Sequence, residues 1–301
     1  MTAISPTLRR RSEQAEALRG FALAAPAILL LALLVVAPLL VVFGLSFTDY
    51  SLGARHWAFT GLGNYARILG DPRALGAVGH TLVYVLVAVP LSVLLGLMLA
   101  LLIQERVRLR RAYEVVFFLP ATSTFIAMAI VWQFLLHGRI GPINAWLAWL
   151  GVGRIDFLTD PATALPTLAA IGAWQLVGQT TVLFLAGLAG VPADIHDAAA
   201  LDGMGRGWDR FLRVTLPLLG PTVLFVVVTT TITAFQAFDS IAALTRGGPA
   251  GSTETLLYKI YLEAYQYTAM GYAAALSILF LAAIALFSLV QIVLADKRIH
   301  Y

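Results

Sequence analysis

VGHTLVYVLVAVPLSVLLGLMLALLI, residues 78–103, runs without one Asp, Glu, Lys or Arg. A bilayer-crossing helix needs about 20 mostly apolar residues, so this stretch is long enough to span. Its Pro90 and Gly96 would weaken a soluble helix but are tolerated in lipid, where neighbouring helices re-satisfy the freed backbone groups. Working outward, charge-free intervals also fall at 20–47, 115–136, 164–190, 216–238 and 269–294. The pattern predicts an all-α, polytopic membrane protein of six transmembrane helices. Composition agrees: of 301 residues, 60% are hydrophobic and 12% charged, against about a quarter charged in soluble domains. A soluble globular enzyme is not expected. The chain has no Cys, which removes disulfides, thiolate zinc sites, iron–sulfur clusters and thiol nucleophiles together.

The first interval follows Arg9, Arg10, Arg11 and Arg19 in the manner of a signal peptide. Its apolar stretch is far longer than an h-region and lacks a clear small-residue cleavage site, so a retained helix is expected. Six spans put both termini on one side, and the Lys/Arg excess chooses which. Thirteen of the 20 basic residues fall in the termini and in the 104–113 and 191–215 loops, seven in the opposite segments. Those termini and loops are therefore expected to be cytoplasmic. The pI near 9.5 then reflects topology and anionic inner-leaflet lipid rather than nucleic acid. The organisation expected is a cytoplasmic tail (1–19), a single transmembrane domain (20–295) carrying the 191–215 loop, and a cytoplasmic tail (296–301).

The 191–217 segment, VPADIHDAAALDGMGRGWDRFLRVTLP, is more than a connector. Pro192 and Asp194 suit the first turn of a helix. Ile195, Ala198, Ala199 and Leu201 give that helix a small-residue face, and Gly203 and Gly205 end it in the manner of a C-cap. Trp208, Phe211, Leu212 and Val214 follow at helical spacing. Composition alone also suits an amphipathic interfacial helix; the order of residues carries more.

That order resembles the EAA loop of binding-protein-dependent ABC importer permeases: Glu-Ala-Ala, three residues, Gly, nine residues, Ile, one residue, Leu-Pro. Here it stands as Asp197-Ala198-Ala199, Gly203, Val214 and Leu216-Pro217. Asp197 replaces Glu, keeping the carboxylate, and ten residues rather than nine separate Gly203 from Val214, an insertion that the 205–207 turn can absorb. The resemblance extends from Pro26 onward and narrows to the carbohydrate-uptake class, the maltose and glycerol-3-phosphate permease type, through GLGNYARIL (61–69), RRAYEVVFFLP (110–120), FLAGLAGVP (184–192), LTRGGP (244–249) and TETLLYKIY (253–261). It implies a type I importer fold in a bacterial or archaeal cytoplasmic (inner) membrane. It also implies a second homologous permease, two ATPase subunits that bind ATP and Mg, and an extracytoplasmic solute-binding protein. Asp197, Ala198, Ala199, Leu201, Asp202, Gly203, Leu216 and Pro217 become the ATPase-coupling residues, and LTRGGP a loop facing the binding protein.

The chain itself offers no engine. A P-loop needs Lys followed by Ser or Thr, and its two lysines, Lys259 and Lys297, are followed by Ile260 and Arg298. The five histidines are scattered, without H-E-x-x-H spacing. No cofactor, metal or catalytic residue is expected. A polyol needs uncharged donors and acceptors in an otherwise apolar site. Gln175 and Gln179 lie about 16 and 22 Å from Ala164 by helical rise, on one face. Thr230 and Thr233 share a face of the fifth span. Such groups also glue helices together; the resemblance to sugar permeases implies that these four line the solute path, with Gln236 as a weaker member. Asp239, counted about 33 Å from Pro217, is expected near the outer interface, as a solvated helix end or a polar group at the mouth of the path.

The reading is thus a permease subunit moving a sugar or polyol-like solute by alternating access, with a phosphorylated polyol still open. An ion-coupled carrier would show ionisable groups at the midplane, which are scarce. A lipid-modifying enzyme would need an acidic cluster, and Asp194, Asp197, Asp202 and Asp209 lack metal-binding spacing.

Overall fold

The computed structural model describes residues 20–104, 124–201, 203 and 207–296. These are helical almost throughout, and among them β structure is confined to one antiparallel bridge between Thr48 and Phe59. Four helices are long and apolar enough to cross a membrane: α1 (Gly20–Leu45), α3 (Pro72–Gln104), α6 (Pro161–Ala189) and α11 (Met270–Asp296). Between α1 and α3 lies the short α2 (Gly63–Leu69); α4 (Phe125–Leu135) and α5 (Pro142–Trp149) precede α6.

The predicted third span, 115–136, is represented by α4 alone, because 115–123 lie outside the described residues. The second starts at Pro72, six residues earlier than the apolar interval, since Pro at the first position sacrifices no helical hydrogen bond and Asp71 accepts from the Arg73 NH at 2.9 Å. The fifth span departs furthest from expectation. It is not one rod over 216–238: α8 (Trp208–Leu218) and α9 (Gly220–Phe235) meet at a 72° bend. Pro221 lacks the NH that would bond back across the junction, and its ring crowds the carbonyl four residues earlier. α7 (Ala193–Leu201) precedes the bent span and α10 (Leu256–Tyr261) follows it, with π-helical turns at Ile241–Thr245 and Leu262–Gln266.

α6 is the centre of the molecule, with 56% of its apolar window buried, against none in α1. Small residues let α3 lie close along it: Ala88, Ala169 and Ala173 are fully buried. A side chain at Gly96 would strike Thr180, and one at Gly172 would strike the Tyr84 hydroxyl. The Thr180 hydroxyl donates to the Ser92 carbonyl at 3.0 Å, across that seam. In lipid the hydrophobic effect does not favour helix–helix contact, so close backbone approach and such bonds supply the attraction. α9 packs against α3, α6 and α11, and α11 runs beside the 37–45 end of α1.

At the end predicted to face outward, the 246–267 segment closes over the helix ends. Lys259 is buried there, 2.9 Å from Glu263 and 3.8 Å from both Asp71 and Glu254. Tyr272 donates to Asp71 at 2.8 Å, and the Arg67 guanidinium stacks 4.2 Å above the Tyr272 ring. Burial tends to raise the Asp71 pKa. The Tyr272 and backbone hydrogen bonds and the Lys259 charge outweigh it, and the carboxyl sits below its ordinary 3.8. The LTRGGP stretch is a turn, with Arg246 and Gly247 at positive φ and the Gly248 NH bonded to the Thr245 carbonyl at 2.9 Å.

Candidate functional site

A cleft of about 310 Å³ opens where the midpoint of α6 meets the last turn of α9 and the turn beyond it. α6 supplies Gln175 and Gln179, one helical turn apart, the first half-buried and the second exposed. Thr233 comes from α9, and Gln236 and Asp239 from the chain just after it, all three exposed. Five of the six residues expected on the solute path therefore meet in one wall.

Thr230 does not join them: it is 4% exposed and lies outside the lining. Three residues leave a helix about 60° short of a full turn, enough to carry Thr230 into the packed side of α9. The neighbouring hydroxyls serve the helices themselves. Thr229 donates to the Phe225 carbonyl at 2.7 Å, and Thr231 receives Gln291 of α11 at 2.9 Å. Asp239 does open a short helical stretch and is exposed, but the straight-rod count of about 33 Å from Pro217 does not hold. The bend at Leu219 and the end of α9 at Phe235 break the straight count, and Asp239 lies beside Gln175 and Gln179.

The cleft also contains residues that pattern reading passed over. Tyr84 and Ser240, joined by a side-chain hydrogen bond, form part of its wall. Tyr84 reaches it because Gly172 has no side chain. A polar-tipped aromatic inside a charge-free span was the available signal. Phe238 presents an aromatic surface backed by Tyr261 and Tyr258, with ring centroids 5.2 and 5.8 Å away. Thr233 spends its proton on the Thr229 carbonyl at 3.0 Å, leaving its lone pairs free to accept. Three amides that donate and accept, the hydroxyls of Tyr84, Thr233 and Ser240, a carboxylate that accepts, and the rings of Phe238 and Tyr84 make a wall suited to a hydroxyl-rich solute.

The second region follows α6. In α7, Asp197 and Ala198 are exposed while Ala199 is 6% exposed, and Leu201 stands out at 89%. Gly203 adopts φ +82°, where a side chain would be strained, and donates to the Ala200 carbonyl at 3.2 Å to close the helix. Asp202 lies outside the described residues. α8 begins with exposed Trp208, set edge-on to Phe211 at 5.4 Å, and an Asp209–Arg213 ion pair at 2.8 Å. Leu216 is half-buried and Pro217 exposed at its end. Gln179 and Gln175 lie roughly 15 and 21 Å up α6 from its Ala189 end. Among the described residues no group of three or more His, Asp or Glu is placed to hold a metal.

Residues 73–300 match the family described as binding-protein-dependent transport system inner membrane component. The lactose transport system permease protein LacF of Rhizobium radiobacter is 31% identical over 285 residues, covering 93% of this chain and 94% of that protein. The sn-glycerol-3-phosphate transport system permease protein UgpA of Agrobacterium fabrum is 31% identical over 244 residues, 81% and 83% of the two chains. Among solved structures, a bacterial ABC transporter involved in the import of the acidic polysaccharide alginate superimposes with a TM-score of 0.81 over 96% of this chain and 99% of its own, at 20% identity, a likeness of fold. An all-helical chain built on long apolar spans, with a polar cleft in mid-helix and a short helix ending in the EAA-like loop, belongs to the binding-protein-dependent transport system inner membrane component family of ABC importer permeases.

Proposed function

We propose that this chain is one transmembrane half of an ATP-driven importer for a sugar or polyol-like solute. It pairs with a second homologous permease, two ATPase subunits carrying ATP and Mg, and an extracytoplasmic solute-binding protein. The observation that carries the reading is the meeting of Gln175, Gln179, Thr233, Gln236 and Asp239 in one cleft halfway along the most buried span. Amides set within an otherwise apolar span need hydrogen-bond partners, and solute hydroxyls supply them in turn as the path opens.

Both termini and the 191–215 loop are cytoplasmic in this reading. α7 then sits in a surface of the ATPase, where exposed Ala198 permits close approach, Leu201 and Trp208 supply apolar contact, and Ala199 packs α7 back onto this chain. Closure of the ATPase pair shifts the membrane halves between inward- and outward-open forms, because α7 makes different contacts in the two. Asp197 and Asp202 are the charged members of that contact, and Leu216 and Pro217 pass the movement into the bent span. The lactose and glycerol-phosphate relatives support the carbohydrate class.

The test is the double variant Gln175→Ala, Thr233→Ala in the assembled importer, with uptake followed in cells and subunit association by pull-down. Uptake falls at least about tenfold, equivalent to ~1.4 kcal/mol, with assembly intact. Normal uptake by the double variant overturns the assignment of the cleft.

A further inference from the structure

The charge of the cleft narrows its solute further. Its polar wall is built from amides, hydroxyls and one carboxylate, Asp239, and among the described residues neither Lys nor Arg lines it. Asp239 is exposed within it, so its charge faces the space a solute would occupy. Of the basic residues toward the outward end, Lys259 is buried among Asp71, Glu254 and Glu263, Arg67 lies on Tyr272, Arg154 pairs with Asp156 at 2.9 Å, and Arg73 and Arg246 line a separate cavity. A phosphate or uronate entering here would meet a like charge in a confined, partly apolar cleft, and no cation among the lining residues would compensate it. A hydroxyl, by contrast, can donate to Asp239 or Thr233 and accept from a glutamine amide, while a sugar ring lies against Phe238.

On this basis, and resting on the assignment of the cleft to the solute path, we propose that it admits uncharged polyhydroxylated solutes and rejects anionic ones, with Asp239 setting that selectivity. The likeness in fold to an importer of an acidic polysaccharide then does not extend to the charge of the cargo.

The chain has no Cys, so a single Gln179→Cys substitution places one thiol of this subunit inside the cleft. In the assembled importer, its modification is followed by mass with methanethiosulfonate reagents of similar size that are cationic, neutral or anionic, each rate normalised to that of a free thiol. The cationic and neutral reagents react faster than the anionic one, the cationic by at least about tenfold, a focusing effect of the size expected in a confined charged cleft. Adding Asp239→Asn to Gln179→Cys brings the three rates together. An anionic reagent that reacts as fast as the cationic one overturns the selectivity while leaving the cleft an aqueous path. A charge preference that survives Asp239→Asn overturns the role of Asp239. A thiol that no reagent reaches, in an importer that still assembles, removes the cleft from the path and the inference with it.

Discussion

Lys259 shows how much a single residue can carry in a chain with so few charges. It is 3% exposed and surrounded by Glu263, Glu254 and Asp71, and one buried oxygen of Glu254 has no hydrogen bond. Lys259→Met keeps the apolar stem and leaves the carboxylates facing one another. Breaking a buried pair by removing one partner costs about 3–5 kcal/mol, so the variant importer should unfold in detergent at a clearly lower temperature. An unchanged midpoint would show that the cluster is dispensable. The Asp71 carboxyl has a lowered pKa in the folded protein, so the unfolded chain binds its proton more readily. The stability this contributes is present above the unfolded value near 3.9 and is lost as pH falls through the folded value. A melting series should therefore show Asp71→Asn abolishing a part of the acid destabilisation that begins below about pH 4. None of this network could be read from spacing: Asp71 and Lys259 are 188 positions apart in the chain, and only the packing of α10 over the start of α3 brings them together.

At the scale of elements, α7 and the bent span are the parts through which the proposed coupling runs, and they were legible to different degrees. The short helix could be read from Pro192, Asp194 and the glycines, because helix starts and stops are local chemistry. Its end at Gly203 with φ +82° follows from the same chemistry. Gly203→Pro cannot adopt that angle, and Ala199→Trp forces bulk into a position 6% exposed. Either change should abolish uptake and uncouple ATP hydrolysis from the binding protein while the subunits still co-purify. Uptake that persisted with normal ATPase association would remove α7 from the coupling path. The 72° bend between α8 and α9 was not legible, although Gly220 and Pro221 mark the place. A Pro in lipid can be absorbed with little change, as Pro90 is within α3 and Pro166 within α6. Which outcome occurs depends on what packs around the break.

For the whole molecule, the decisive feature is how much apolar surface one chain leaves uncovered. α1 has none of its apolar window buried, α3 and α11 a third, and Leu201, Trp208 and Leu212 stand exposed beside the spans. On the proposed function, lipid covers part of this surface and partner subunits the rest. Purified with a tag in mild detergent, the chain should bring with it a second polytopic permease and an ATPase with a Walker sequence, identified by mass spectrometry. Repeated recovery of an intact chain alone would favour a self-sufficient carrier.

The sequence by itself determined the membrane class, most span positions and the EAA-like loop, because each depends on residues near one another in the chain. Apolar length, charge asymmetry and turn chemistry act over one or two helical turns to one span. The tertiary structure decided that Asp239 joins Gln175 and Gln179 while Thr230 turns away, that Tyr84 and Phe238 complete the wall, and that Lys259 is sealed among carboxylates. Those outcomes depend on where helices cross and bend. Close approach at Gly96 and Gly172 and the break at Leu219 set that geometry, through contacts between residues far apart in the chain.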